Sequence, residues 1–559
     1  MALARSLVRG GLLVGLVACT LAGAERLARA NGLEIPENGT EVMGRAGAWT
    51  ARADNPLAAA LNPAGLAGQP TAIILNANIT YQSMCFQKAG NYPDPSANGG
   101  TKWESGSYDG KPYPEVCKSN KAGDLNVVPQ LGFNYAVNSK LGIAFLPLWT
   151  PSGTGKAKWP TEVNVPGSTT ADGTAPSPSR FLIVEKNARI IMPTLAAGYE
   201  VAKGVRFGLA FQWVITMFQS TLISQGTQTS EESLTQGPKV NTSSDVKFNQ
   251  WFTPAAVFGA MYSPIDDIDI GAMVRYSADI VYKGKTCDQK NQSLTTKPDC
   301  DVAVTAPYYG NGKAGSKPSY TGAELEEFRL PQPMDVRLGF RWHPARKGVT
   351  LPAEGRRDFL KHDAFDVEID FTYSKNSSFD QITVLFPANQ NVYFSGGNGG
   401  YVPTNASIAK HWKDSFGVRL GGDVNVLPER LAVRGGAFFQ TAAQDEQYLN
   451  LDFHPGQMVG LYIGGTVRAT KALDVSVGYG HIFVKAFDNT AEGGKLRALV
   501  ATGADNPNGP NYYNLCDSAA AKAQGYTQPS EPYRSCAVTN TGRLTSAFNM
   551  FSVGATYKF

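Results

Sequence analysis

The dominant pattern along the chain is an alternation of apolar residues with polar or small ones, in segments of about ten residues. In one such segment every second residue from Val205 to Trp213 is apolar, and the residues between them are Arg, Gly, Ala and Gln. Because successive side chains of a β-strand point to opposite faces, this pattern predicts strands with one apolar face and one polar or glycine face. Fourteen strands are predicted, near residues 71–81, 127–137, 141–149, 188–199, 205–218, 246–262, 268–282, 333–342, 364–373, 413–424, 430–440, 457–468, 472–486 and 547–559.

The connections between these predicted strands alternate in length. Short turns at one end and long loops at the other are typical of outer-membrane β-barrels. A soluble barrel or sandwich also alternates, but it buries its apolar face inward, and fourteen strands enclose an interior too wide for side chains alone to fill. We therefore predict an all-β fold, a 14-stranded antiparallel transmembrane β-barrel. The short connections are 138–140, 200–204, 263–267, 425–429 and 469–471, the one at 343–363 is moderate, and most of the others are much longer.

Composition agrees with a barrel and excludes other classes. The 559 residues are 42% hydrophobic and 18% charged and include 59 glycines, and beyond the N-terminus there is no apolar run of about 18 residues that would indicate a transmembrane helix. The modest apolar fraction fits a barrel, since only every second strand residue faces lipid and the loops are polar. The first 30 residues carry four Arg and one Glu, so the rest has 47 basic and 46 acidic residues. This balance gives no electrostatic case for nucleic acid.

The N-terminus has the layout of a secretory signal peptide. Arg5 and Arg9 precede a short apolar stretch at residues 11–18, which small residues follow. Cleavage is expected after Ala30, with the Ala-Gly-Ala at residues 22–24 as an alternative. A lipoprotein signal that leaves Cys19 lipidated is a rival interpretation, and both imply export.

Removal of the signal also removes Cys19 and leaves six cysteines, an even number that suits an oxidising compartment. All six fall in predicted loops, so we expect three disulfides on the outer surface. The neighbouring pairs are Cys85 and Cys117, Cys287 and Cys300, and Cys516 and Cys536.

Several segments of the chain resemble the FadL/TodX family of outer-membrane transport proteins for long-chain fatty acids and aromatic hydrocarbons. The resemblance covers the whole mature chain, and its N-terminal part is the most specific. It also favours cleavage after Ala30, because family members begin just before a Gly-Leu or Gly-Phe. The segments that carry it are Asn31–Gly39, Met43–Ala48, Asp54–Pro56, Asn62–Leu66, Asp474–Tyr479 and the last strand, which ends at Phe559.

The resemblance implies three parts of the chain: a signal peptide at residues 1–30, an N-terminal hatch inside the lumen at 31–70 and the barrel with its long loops at 71–559. It places Asn62, Pro63 and Ala64 in the hatch. The same Asn-Pro-Ala-Gly is a strong turn signal in any protein, and the two interpretations are compatible.

The family's third strand is kinked and opens the wall, so that a ligand leaves sideways into the bilayer. Here the third predicted strand contains Pro147, which has no N–H to donate to a neighbouring strand. Leu146 and Leu148 occupy the lumen parity, and with Trp149 they are candidate ligand contacts. The alternative is that Pro147 merely ends the strand and the leucines pack beneath the next loop.

Charged residues on the lumen parity form a second pattern, an acidic strand between two basic ones. Cross-strand ion pairs would brace the wall and anchor the hatch. Alternatively one arginine, Arg275, Arg337 or Arg434, holds a fatty-acid carboxylate. The lumen charges predicted by parity are Arg337, Arg341, Asp366, Glu368, Asp370 and Arg419.

The sequence contains no metal-ligand spacing and indicates no cofactor. A lipid hydrolase is a minor alternative, because Ser476 and His481 lie on opposite faces of their strand. A porin for hydrophilic solutes is a second alternative, and it would conduct salt. The predicted function is passive, non-enzymatic uptake of a hydrophobic small molecule by a monomer in the outer membrane, in contact with membrane lipid and without nucleic acid.

Overall fold

A computed structural model of the chain describes residues 38–90, 106–108, 111–119, 126–150, 155–168, 174–225, 241–308, 317–394, 397–453, 456–500 and 534–559. Its main element is a closed barrel of fourteen antiparallel strands, which confirms the predicted fold class. The last strand pairs with the first from Ala72↔Lys558 to Lys88↔Gly542 and so closes the barrel.

The barrel strands follow the predicted segments in order. The fourth is divided at Met192 and Pro193. The bounds are β1 Ala72–Lys88, β2 Asn126–Ala136, β3 Leu141–Leu148, β4 Glu185–Ile191 with Thr194–Ala202, β5 Val205–Gln225, β6 Thr242–Ile265, β7 Ile268–Ser277, β8 Asp335–Trp342, β9 Phe365–Ser374, β10 Ser415–Leu427, β11 Leu431–Gln440, β12 Met458–Arg468, β13 Leu473–Asp488 and β14 Gly542–Lys558.

The apolar faces of the strands point outward. Leu209 is 61% exposed and Leu195 62%, whereas Ala210 and Gln212 face the lumen and are buried. Exposed aromatic residues lie at both ends of this apolar surface, among them Tyr262 and Trp342 at the short-turn end. An apolar exterior bounded by aromatic residues is the surface that a lipid bilayer requires.

Short strands in the long loops form a second layer of structure at the long-loop end. Ile280–Lys283, Glu327–Leu330, Gln381–Leu385 and Ile408–Ala409 build a four-stranded sheet. The other short strands are Ser107–Tyr108, Lys111–Pro112, Val116–Cys117, Gly155–Lys158, Glu162–Asn164, Thr174–Pro176, Val302–Ala306, Ser319–Ala323, Asn391–Phe394, Gly397–Tyr401, Arg497–Val500 and Arg534–Val538.

Two disulfides are present among the described residues, Cys85–Cys117 and Cys287–Cys300. The expectation that every cysteine lies in a loop outside the strands is wrong. Cys85 lies in β1, whose ladder continues past the apolar segment because the loop strand Val116–Cys117 supplies it with a partner. Cys117 and Cys536 likewise lie in short strands. Cys516 lies outside the described residues, so the third pair stays a prediction.

Residues 38–71, called here the N-terminal segment, lie inside the barrel. Their side chains are nearly all buried, and Val42, Trp49 and Leu57 are at most 1% exposed. The segment contains the helices α1 (Thr40–Gly44) and α2 (Ala58–Leu61) and the 3-10 turn Pro63–Leu66. The other helical turns are α3 (Phe359–His362) and the 3-10 turns Asn376–Ser378 and Glu446–Tyr448. No helix in the described part of the chain is long and apolar enough to span a membrane.

Candidate functional site

A group of buried carboxylates on β9 and β10 binds Arg45 of the N-terminal segment. The guanidinium of Arg45 lies 2.7 Å from Asp423 and 3.2 Å from Glu368, and it also pairs with Asp366. All four side chains are fully buried. Separating these side chains would leave buried charges without a partner, which is costly. The cluster therefore holds the segment against the wall.

The backbone of the N-terminal segment is also bound by the wall. The amides of Trp49 and Thr50 each donate to the Asp370 carboxylate at 3.0 Å, and the amide of Ala51 donates to Glu368 at 2.7 Å. The acidic strand predicted from parity therefore anchors the segment. Two arginines of the wall complete this network. Arg341 lies 2.9 Å from Asp366 of the acidic strand, and Arg419 donates to Ala46 O of the segment at 3.0 Å.

The three arginines predicted as alternatives for a carboxylate site lie in two different parts of the lumen. Arg275 lies 4.0 Å from Asp335 on β8. Arg434 lies 3.1 Å from Asp423, at the other end of the lumen beside Gly44. Arg337 is half-buried on β8. Arg275 and Arg337 are thus diagonal neighbours on β7 and β8, opposite Asp335 and Met273 respectively, and Arg434 lies apart from both.

Glycines of the barrel strands make room for the N-terminal segment. A Cβ at Gly208 would lie 2.2 Å from the carbonyl carbon of Pro63, and one at Gly142 would lie 2.2 Å from the carbonyl oxygen of Leu66. No side chain fits at such distances, so these glycines let two backbones approach closely. Lumen-facing glycines with equally close approaches are Gly198, Gly259, Gly271, Gly421 and Gly436.

Asn62, Pro63 and Ala64 form a turn inside the barrel. The Asn62 side chain accepts a hydrogen bond from the Ala64 amide at 3.3 Å, which caps the 3-10 turn, and donates to Thr50 O at 2.7 Å. All three residues are buried against the wall. The turn that they form packs against Gly208 and Gly259 of the wall.

The wall is irregular at Pro147. In the β2–β3 ladder, Leu131 pairs with Leu148 but Phe133 pairs with Phe145, so β3 carries one extra residue in a bulge. Pro147 has no N–H, and the β3–β4 ladder has its last pair at Leu146. Beyond it, the Met192 amide donates a hydrogen bond to Trp149 O at 2.7 Å, and β4 next pairs with the loop strand Gly155–Lys158.

The bulge changes which side chains of β3 face inward. Leu146 is fully buried, Leu148 is half-buried, and Trp149, on the opposite parity, is only 6% exposed. Leu146 and Trp149 belong to one continuous apolar cluster that also contains Leu66 of the N-terminal segment. The pair that lines the lumen here is therefore Leu146 and Trp149, because an extra residue reverses the alternation.

Two cavities lie at the long-loop end. The wider one, about 430 Å³, is lined by apolar side chains such as Leu182 and Ile408 and by the cations Lys495, Arg497 and Arg534, with no acidic residue among its described lining residues. A narrow one of about 30 Å³ lies against it, with Leu182, Leu222 and Ile408 common to both. The narrow cavity has room for about one water molecule.

Buried lysines beside the narrow cavity were missed by the sequence. Lys186 donates to Asp452 O and lies 4.2 Å from the centre of the Phe453 ring, and Lys410 Nζ lies 2.7 Å from the Asp452 carboxylate. Burial lowers the pKa of Lys410, and the Asp452 carboxylate opposes that shift. Two ammonium groups thus lie at one aspartate, Lys186 at its backbone carbonyl and Lys410 at its carboxylate. The one available signal was that Lys186 shares the lumen parity of Ala188 and Ile190.

At the short-turn end, the connection 343–364 closes over the N-terminal segment, and we call it the strap. The Arg356 side chain donates to Ala53 O at 2.8 Å and to Gly65 O at 3.0 Å, and its amide donates to Gly68 O at 2.9 Å. This contact was not predicted, because only the moderate length of the connection was visible in the sequence.

The comparisons with known proteins agree with this architecture. The family model described as outer membrane protein transport protein (OMPP1/FadL/TodX) matches residues 21–503. The chain belongs to this family. It is therefore an outer-membrane transport protein, and its short turns face the periplasm and its long loops the outside. A comparison with curated proteins gives no match.

Solved structures of the family share the fold of this outer-membrane protein. A FadL homologue of Pseudomonas aeruginosa superimposes with a TM-score of 0.60 at 16% identity, covering 95% of this chain and 100% of that one. The toluene transporter TodX of P. putida gives 0.54 at 12% identity, and the toluene transporter TbuX of Ralstonia pickettii 0.52 at 11%; each covers 94% of this chain and 99% of its own. At these identities the likeness concerns the fold alone.

Proposed function

We propose that the protein takes up a hydrophobic solute that carries a carboxylate, such as a long-chain fatty acid, and releases it sideways into the outer membrane. The observation that carries the proposal is the pair of buried lysines beside the apolar cavity. The solute would bind first in the wide outer cavity, whose apolar and cationic lining suits an anionic amphiphile. The driving force is transfer from water, about 0.8 kcal/mol per buried CH₂.

The second step is entry into the narrow cavity. Its lining includes Phe218, Val246 and Phe328, and Lys186 lies at its edge. Because the space is about 30 Å³ without ligand, the aromatic side chains must move aside as the chain enters. The carboxylate then meets Lys186 and Lys410, whose two charges are opposed by the single charge of Asp452.

The third step is exit beside β3. The apolar cluster that includes Phe328 and Val246 is continuous with Leu146 and Trp149 at the irregular wall, so an apolar path leads from the cavity to this point. The wall is weaker there, because Pro147 has no N–H to donate and the β3–β4 ladder has its last pair at Leu146. In this proposal Leu146 and Trp149 contact the moving solute.

The N-terminal segment would act as the family's hatch, and residues 1–30 as a cleaved signal peptide. One chain would suffice, since cavity, path and exit all lie within one barrel. The proposal also implies low salt conductance, because the described residues of the segment fill the lumen. The porin alternative implies the opposite.

Binding of a fatty acid and of the matching uncharged alcohol would test the substrate class. The full-length protein in detergent should bind the acid more tightly than the alcohol. Lys186→Met should reduce that preference by about tenfold or more, since a hydrogen bond to a charged group contributes about 1.5–3 kcal/mol. Isothermal titration calorimetry measures both affinities.

Lys158→Met is the matched control, because Lys158 lies on the neighbouring strand and is 52% exposed. It should leave both affinities unchanged. Equal binding of acid and alcohol by the unmodified protein would refute the carboxylate. Tighter binding of a neutral aromatic hydrocarbon would favour that substrate class instead.

Uptake by cells that depend on this transporter would test the exit. Pro147→Ala restores an N–H to β3 and should slow uptake of a fluorescent fatty acid severalfold by letting the ladder close. Gly142 should stay unchanged in this variant, because a side chain there would displace Leu66. Pro254→Ala, the same change on β6 three strands away from β3, is the control. Normal uptake by the Pro147 variant, at equal surface level, would exclude the exit.

A further inference from the structure

The outer face of β5 and β6 carries a cluster of aromatic residues created by a bulge. Val214 pairs with Thr253 and Thr216 with Gln250, so Trp251 and Phe252 together oppose a single residue of β5. As a result both neighbours point outward, and Trp251 is 64% exposed and Phe252 45%.

The cluster is ordered by its own contacts. Trp213 on β5 donates its indole N–H to Trp251 O at 2.5 Å. Its ring meets the Phe252 ring edge-on, with centroids 5.0 Å apart. Three large aromatic side chains thus form one surface on the exterior of the barrel, at the end where the loops are long.

Two cations lie just beyond this cluster, toward the outside. Arg189 on β4 pairs with Met217, and Lys247 on β6 pairs with Gln219, so they flank β5 with their Cα atoms about 12 Å apart. Both side chains are exposed on the outer face. Neither has a side-chain hydrogen bond or ion pair with any residue that the structure describes.

The acidic groups nearby already have partners. Glu185 lies 3.6 Å from Lys158, and Asp245 lies 2.7 Å from Lys297. Among the residues that the structure describes, the charges of Arg189 and Lys247 are therefore left uncompensated on this face. Cations above an aromatic layer match the two layers of a membrane surface, where headgroups lie above the first part of the acyl chains.

We propose that this face binds a phosphorylated lipid of the outer leaflet. Its phosphate would lie between Arg189 and Lys247, and its acyl chains would pack on Trp213, Trp251 and Phe252. The lipid is a fixed neighbour of the barrel and not the transported solute, because the site lies outside the wall. The inference is independent of the proposed substrate.

Lipid A, a doubly phosphorylated glycolipid, is the probe, added to the full-length protein in detergent and followed by native mass spectrometry. Arg189→Ala and Lys247→Ala should each weaken binding about fivefold, since a basic side chain near anionic lipid contributes about 1 kcal/mol. The double variant should lose about thirtyfold by the same reasoning. Lipid A without its phosphates should bind weakly to every form.

Arg543→Ala is the control, since Arg543 is an exposed cation at the outer end of β14, on another part of the barrel. It should bind lipid A like the unmodified protein. Equal binding by the double variant, or equal binding of the dephosphorylated lipid, would overturn the proposal. Displacement of lipid A by inorganic phosphate would also overturn it, because that result indicates a site for free anions.

Discussion

Replacing Arg45 by methionine is expected to release the N-terminal segment from the barrel wall. The change removes one cation from Asp366, Glu368 and Asp423 while these carboxylates stay buried. Arg52, Arg341 and Arg434 remain beside the two aspartates, so the loss should stay below the cost of about 3–5 kcal/mol for a buried ion pair that loses its only partner. The lumen should then admit ions, and planar-bilayer recordings should show conductance that the unmodified protein lacks. The temperature at which the folded barrel unfolds in gel electrophoresis should fall.

Arg45→Lys distinguishes charge from shape in this experiment. A lysine keeps the charge but lacks the forked guanidinium that reaches two carboxylates at once, so partial recovery is expected. Unchanged conductance and stability in Arg45→Met would mean that the amide hydrogen bonds of Trp49, Thr50 and Ala51 and the ion pairs of Arg52 hold the segment without Arg45.

Replacing Arg356 by alanine should open the periplasmic end. The Arg356 side chain donates to three carbonyl groups of the N-terminal segment, those of Arg52, Ala53 and Gly65. Cavities of about 530 and 450 Å³ both border Arg356, so removing its side chain should join them. Uptake of a hydrophilic antibiotic by cells should rise, together with conductance in bilayers.

Arg356 is positively charged at neutral pH. Burial and the repulsion of Arg206 lower the pKa of Arg356 to about 10, which still leaves it protonated at neutral pH. Arg346→Ala is the control, because Arg346 lies in the same strap and its side chain donates to Lys361 O. If conductance and antibiotic uptake were unchanged in the Arg356 variant, the contacts of its side chain would not be what keeps the periplasmic end closed.

The wall of the barrel was predictable because its cause is local. Lipid outside and polar atoms inside force a period of two on each strand, so the alternation around Leu209 is visible in the sequence alone. The predicted strands err mainly at their outer ends. Beyond the bilayer, β1 and β5 continue without an apolar face, because loop strands or the next barrel strand supply their hydrogen-bond partners.

The candidate site was predictable only in part. Asp366, Glu368 and Asp370 were placed in the lumen by parity, since they lie on a regular strand. Lys186 and Lys410 were not found, because both fell outside the predicted strands. The parity of Lys186 with Ala188 was visible only if the fourth strand was extended toward its outer end. Trp149 faces inward because β3 contains one extra residue, and the alternation of residues does not reveal such a bulge.

By itself, the sequence determined the number of barrel strands, their order, the lipid-facing surface and the family. Each of these follows from short-range periodicity or from a contiguous motif. Only the tertiary structure decided that Lys186 and Lys410 both bind Asp452, that the strap binds the N-terminal segment and that a bulge turns Trp251 outward. These contacts join residues far apart in the chain, and their register is set when the barrel closes on itself, a constraint that no local pattern carries.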